Sequence, residues 1–131
     1  MTAKELQETL TFEAKSIQRL RERISQKRDG ASKTPDTGSV PVQGGRKQDI
    51  VSSNACEIIR LEGLMQNHVD RVWEYMVYLD TPGQRAVIRF RYIEWMRWEK
   101  IALAMKYSDK HVYRLHWQAM RVICKKLATL P

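Results

Sequence analysis

Cysteine is nearly absent from this chain, and no long apolar run occurs in it. The two cysteines, Cys56 and Cys124, stand far apart and outside any CxxC spacing, which excludes a cysteine-based zinc motif and a disulfide framework. Reduced structural thiols are expected, as in a cytosol. No apolar stretch approaches the ~20 residues that span a bilayer. The opening residues, MTAKELQETL, lack the apolar centre of a secretory signal, so a cytoplasmic protein with no membrane partner is expected. The chemistry of catalysis is missing too. There is no Ser/His/Asp arrangement and no Gly-rich phosphate loop, and His68, His111 and His116 share no metal-ligand spacing. Neither catalytic residues, a cofactor nor a metal is expected. Glycine and proline are scarce and localised: four of the six glycines and two of the four prolines fall within residues 29–47.

What remains is an ordinary folded composition, 43% hydrophobic and 29% charged over 131 residues, long enough for one modest core. The net charge is +8 and the isoelectric point about 9.7, but the excess is not spread evenly. Residues 85–131 hold eleven Lys/Arg against three Asp/Glu, whereas residues 48–84 hold two against six. Residues 1–28 carry seven against four. Such a balance bears on partners rather than on fold.

Apolar residues recur at helical spacing almost throughout. Leu6, Leu10, Ala14, Ile17, Leu20 and Ile24 form one stripe, predicting an amphipathic helix over 1–28. Residues 29–47 read as a flexible Gly/Pro linker. Over 48–80 the stripe resumes at Val51, Ala55, Ile58, Leu61, Met65, Val69, Val72, Met76 and Leu79. The span from Val51 to Leu79 would make a helix of ~43 Å, too long to stand alone in a chain of this size. Two arrangements satisfy it: an antiparallel hairpin with the basic first helix, or self-association through the same stripe, with a homo-oligomer, most simply a dimer, as the result. Trp73, Trp95 and Trp98 are expected in the core.

Residues 81–131 read as a helix-turn-helix domain. Thr81 and Pro82 start a helix carrying Ala86, Val87, Phe90 and Ile93 inward. After 95-WMR-97 a second helix turns Trp98, Ile101, Ala102 and Met105 to the core. Ser108 caps a third, whose inward edge runs through Val112, Leu115, Ala119, Val122, Ile123 and Leu127. Two short helices joined by a tight turn, the second cationic, suit DNA: the first braces on the backbone while the start of the second enters the major groove. Asp109, Lys110, His111, Tyr113, Arg114 and Gln118 are left for base edges, where Lys and Arg pair with guanine and Gln with adenine. Arg97, Lys100, Lys106, Ser108, Arg121, Lys125 and Lys126 are left for phosphates. Trp117 has two readings, a protein–DNA boundary or a dimer seam.

Residues 79–127 resemble the region-4-type helix-turn-helix of sigma-70-like factors. The matching residues are Arg85; Ile88, Arg91 and Tyr92; Trp98, Glu99, Ile101 and Ala102; Ser108, Val112 and Arg114; and Ala119 and Ile123. Over its whole length, with RYIEWMRWEKIA and YSDKHVYRLHWQAM as the most distinctive runs, the chain looks like the small phage-encoded transcriptional regulators of Gram-positive bacteria, including late-gene activators of the RinA and ArpU type. One departure is that such proteins usually have Gly in the turn where this chain has Trp95 or Met96. The resemblance implies an all-α DNA-binding regulator that presents Asp109, Lys110, His111 and Arg114 to bases. Two other roles go with such a fold: an adaptor that docks on RNA polymerase, and a phage DNA-packaging subunit.

Overall fold

The computed structural model describes residues 1–32 and 45–130, and the side chains of 1–29 and 53–130. It is all-α. Helix α1 spans Ala3–Ser32, α2 Gly45–Met76, α3 Pro82–Ile88, α4 Trp98–Met105 and α5 Asp109–Ala128, and a single π-helical turn, Arg89–Ile93, continues α3. The helices of the hairpin outrun their sequence boundaries. Residues 29–32 prolong α1 and 45–47 begin α2, since within 29–47 no proline, the strongest helix breaker, occurs before Pro35 or after Pro41. The rest of the expected linker, 33–44, lies outside the described residues. At its other end α2 stops at Met76, short of residue 80.

Thr2 starts α1 by accepting the Glu5 backbone N–H at 3.1 Å, the first half of a Thr-x-x-Glu capping box. Leu6, Leu10, Ala14, Ile17 and Ile24 are buried, as their spacing predicts, and face Leu61, Val72 and Met76 of α2. Ion pairs fix the direction. Glu13 of α1 meets His68 and Arg71, whereas Arg28 meets Glu62 and Arg23 meets Glu57. The partners of Glu13, early in α1, lie later on α2 than those of Arg23 and Arg28, late in α1, so the two helices are antiparallel. The pairs of Arg23 and Arg28 are exposed and contribute little to stability. Glu13 differs, being 5% exposed. Its carboxylate lies 2.5 Å from His68 Nδ1 and 3.5 Å from Arg71 Nη1, which supplies the partners that a buried charge requires.

The hairpin does not stand apart from the C-terminal helices. Its buried stripe continues into Leu79, Ile88, Tyr92 and Ile93 and into Ala119, Met120 and Ile123 of α5, forming one core. Arg21 reinforces the join by donating to the Ile93 carbonyl at 3.3 Å. A second, smaller cluster of Val87, Ile101, Ala102 and Val112 lies among α3, α4 and α5, covered by Phe90, Met96, Trp98, Met105 and Leu115. Helix α5 therefore belongs to both.

Trp73 departs from expectation: it is 44% exposed. Its neighbour Val72 takes the inward position, and one residue along a helix rotates the side chain by about 100°, away from α1. Ala55 is exposed as well. Trp95 and Trp98 are half-buried, each against one of the two clusters.

Because α1 and α5 share a core, Leu10→Ala is expected to cost about 2–5 kcal/mol and to lower amide protection in α5 as much as in α1. Hydrogen exchange checks this. Unchanged protection in α5 would show two independent units.

Candidate nucleic-acid interface

Helix α4 ends where Lys106 adopts a left-handed backbone, φ 59° and ψ 39°, and the Tyr107 N–H returns to the Ala102 carbonyl at 3.0 Å. Ser108 then caps α5, its hydroxyl accepting the His111 N–H at 3.2 Å, as the sequence predicts. Three residues thus join the two helices, and Val112 packs beside Ile101 and Ala102 in the smaller cluster. The corner before α4 is held differently. Trp95 is left-handed too, φ 56°, a conformation that glycine adopts freely and other residues at a cost of ~1–2 kcal/mol. Arg91 offsets the strain here: its guanidinium lies 4.6 Å from the Trp95 ring centroid and 4.8 Å from that of Trp98, and Nη1 donates to the Met96 carbonyl at 2.9 Å. A cation between two indoles is worth on the order of 1 kcal/mol per ring.

The buried face of α5 consists of Val112, His116, Ala119, Met120 and Ile123. Opposite to it, at helical spacing, Lys110, Arg114, Arg121 and Lys125 form one exposed cationic stripe with Gln118 beside it. His111 flanks the stripe, half-buried, with its ring edge-on to Tyr107 at 4.5 Å. Lys106, Tyr107, Ser108, Lys110, His111 and Arg114 line an open depression of about 410 Å³ at the start of the helix.

Four of the six residues expected at base edges, Lys110, His111, Arg114 and Gln118, therefore share a face. Asp109 and Tyr113 are exposed but stand to one side of it. Tyr113 leans on Trp98, with ring centroids 4.8 Å apart, and Asp109 occupies the first turn of α5, where a carboxylate favours the helix dipole. Among the residues expected at phosphates, Arg97, Lys100, Lys106, Ser108, Arg121 and Lys125 are exposed. Lys126 is engaged elsewhere. Its ammonium donates to the Tyr78 carbonyl at 2.7 Å and pairs with Asp80 at 3.2 Å, tying the end of α5 to the end of the hairpin.

Behind the exposed face lies a polar contact that the spacing of apolar residues does not announce. His116 is fully buried, and its Nε2 is 2.6 Å from the Tyr92 hydroxyl. Burial drives the imidazole pKa down to about 4, with Arg91 adding to the effect, and the same burial raises the Tyr92 phenol well above its ordinary range. Both groups are neutral at pH 7. The phenol is the donor, because the reverse arrangement would leave two polar groups of the pair unsatisfied instead of one. Among the described residues His116 Nδ1 finds no hydrogen-bond partner; edge-to-face contacts with Trp98 and Trp117, each at 4.9 Å, surround the ring. Trp117 is itself half-buried against the main core.

Among the described residues no group of three His, Cys, Asp or Glu is placed to hold a metal ion, and no helix is long and apolar enough to cross a membrane. No protein-family model matches the chain, and neither the curated proteins nor the solved structures yield a similar one.

A histidine held neutral by burial makes stability depend on pH. The unfolded chain, with an ordinary value near 6.5, binds the proton first on acidification. The contribution is therefore complete above pH ~6.5 and declines as pH falls toward 4, by up to about 3 kcal/mol. Urea midpoints measured from pH 7.5 to 4.5 are expected to fall more steeply for the wild type than for His116→Gln, which keeps an acceptor for Tyr92.

Proposed function

We propose that this chain is a sequence-specific double-stranded DNA-binding regulator of transcription, reading the major groove with the first half of α5. The observation that carries this reading is the exposed face of that helix. Lys110, Arg114 and Gln118 supply the donor and acceptor chemistry for base edges, Arg121 and Lys125 extend the same stripe, and Arg97, Lys100 and Lys106 surround its start as phosphate contacts. The resemblance to phage late-gene regulators adds the biological setting, control of phage or prophage genes in a bacterial host.

Arg114 and Lys125 separate reading from anchoring. Arg114→Ala should remove about 1–3 kcal/mol of discrimination between a selected duplex and its single-base variants. Lys125→Ala should weaken all duplexes alike and lower the slope of log affinity against log salt by about 0.9. Fluorescence anisotropy at fixed salt measures both. Equal loss on every sequence for Arg114→Ala would remove that residue from the base-reading set.

One feature favours a second contact, with RNA polymerase: Leu103, on the outer face of α4, is 79% exposed, and contact with a DNA backbone gives it no role. Leu103→Ser is expected to leave duplex affinity unchanged while reducing retention of the polymerase on a DNA–protein complex.

A further inference from the structure

The side of α2 turned away from the core carries a second pattern that neither the fold nor the DNA-facing surface uses. Ile59, Gly63, Gln66, Asp70 and Trp73, with Val77 one residue beyond the helix, are all exposed and follow in alternating steps of four and three, the 3.5-residue period of a helix-pairing seam. Cys56, also exposed, extends the series by one step. The buried residues of the same helix, Leu61, Val72 and Met76, lie on the opposite side. Ile59 is 67% exposed and Val77 65%. A side chain built at Gly63 would meet nothing within 4 Å, so the backbone there is open to close approach.

We propose that this face binds a second copy of the chain, the two α2 helices lying antiparallel about a two-fold axis near Gln66 and Asn67. In that register Ile59 of one copy faces Trp73 of the other, Gly63 faces Asp70, and Cys56 faces Val77. Gly63, one step along the seam from Ile59, leaves room beside that pair for the opposing indole to lie flat, and a buried aromatic anchor is where the binding energy of a small interface concentrates. Gln66, polar at the centre of the seam, sets the register.

Charge selects the antiparallel direction. Antiparallel helices set like flanks of the seam against each other. Arg60 and Glu74 occupy the same flank, so Arg60 of each copy meets Glu74 of the other. Arg60 already holds Glu57 of its own helix at 2.6 Å, which extends each contact into a three-membered charge network. The two Asp70 carboxylates are offset by a heptad, ~10 Å along the axis, about one Debye length at 0.1 M salt. Parallel pairing would instead bring Asp70 against Asp70 across the seam.

Light scattering on the full chain over a range of concentrations tests this directly. The wild type should pass from the 15.4 kDa monomer to twice that mass. Trp73→Glu should weaken the dimer by about thirtyfold or more, with circular dichroism and melting unchanged because the residue faces outward. Arg60→Glu and Glu74→Arg should each weaken it about fivefold, and the double swap should recover most of the loss. Mild oxidation of Val77→Cys in a Cys124→Ser background should link position 77 of one copy to Cys56 of the other. A wild type that stays monomeric, a Trp73→Glu dimer as tight as wild type, or a cross-link running mainly from Cys56 to Cys56 would each overturn the proposal.

Discussion

The rotational setting of α5 is the constraint on which the rest depends. One face of this helix is committed twice: Val112 to the small cluster among α3, α4 and α5, and Ala119, Met120 and Ile123 to the core shared with the hairpin. Between the two commitments His116 contacts Tyr92 across the interior. Close-packed interiors resist rotation of such an element, so the opposite face is fixed relative to α4 and to the turn at Lys106. An isolated amphipathic cationic helix would suit a lipid surface or an acidic protein equally well. A helix held in register by two cores presents Lys110, Arg114 and Gln118 at a defined angle, which recognition of base edges requires.

Apart from the arginines paired with carboxylates in the hairpin, two populations of cations have different roles. Arg21, Arg85, Arg91 and Lys126 donate to backbone carbonyls of Ile93, Leu79, Met96 and Tyr78, and all four carbonyls lie in or beside the connections that follow α2 and the π-helical turn. These cations act as internal fasteners for segments whose carbonyls lack helical partners. The remaining cations of α4 and α5 are exposed, and it is their placement on one stripe, not the sum over the chain, that speaks for a nucleic-acid partner.

Much of this was legible in the residues. The α1 stripe, the Ser108 cap and the inward Val112 and Ala119 follow from spacing and capping chemistry, which are local. Glu13 was legible in principle, since it occurs at a stripe position between Leu10 and Ile17 where a carboxylate calls for partners. Its partners, His68 and Arg71, come from another helix, and no local rule names them. His116 and Met120 likewise fall on the buried spacing of α5, yet the Tyr92 contact depends on the π-helical turn, which no residue pattern signals. Trp73 is exposed despite its size and apolarity, because Val72 fixes the inward direction of the helix. Lys126 was indistinguishable from Lys125 by type, and only the packing of α5 against the end of the hairpin separates them.

Selection of bound duplexes from random-sequence DNA by the full chain, read by sequencing, bears on the central claim more directly than any stability measurement. The account predicts an enriched motif in which one or more positions lose their preference when Lys110 and Arg114 are replaced by alanine. Binding without enrichment of any motif, or a motif indifferent to those two residues, would contradict it.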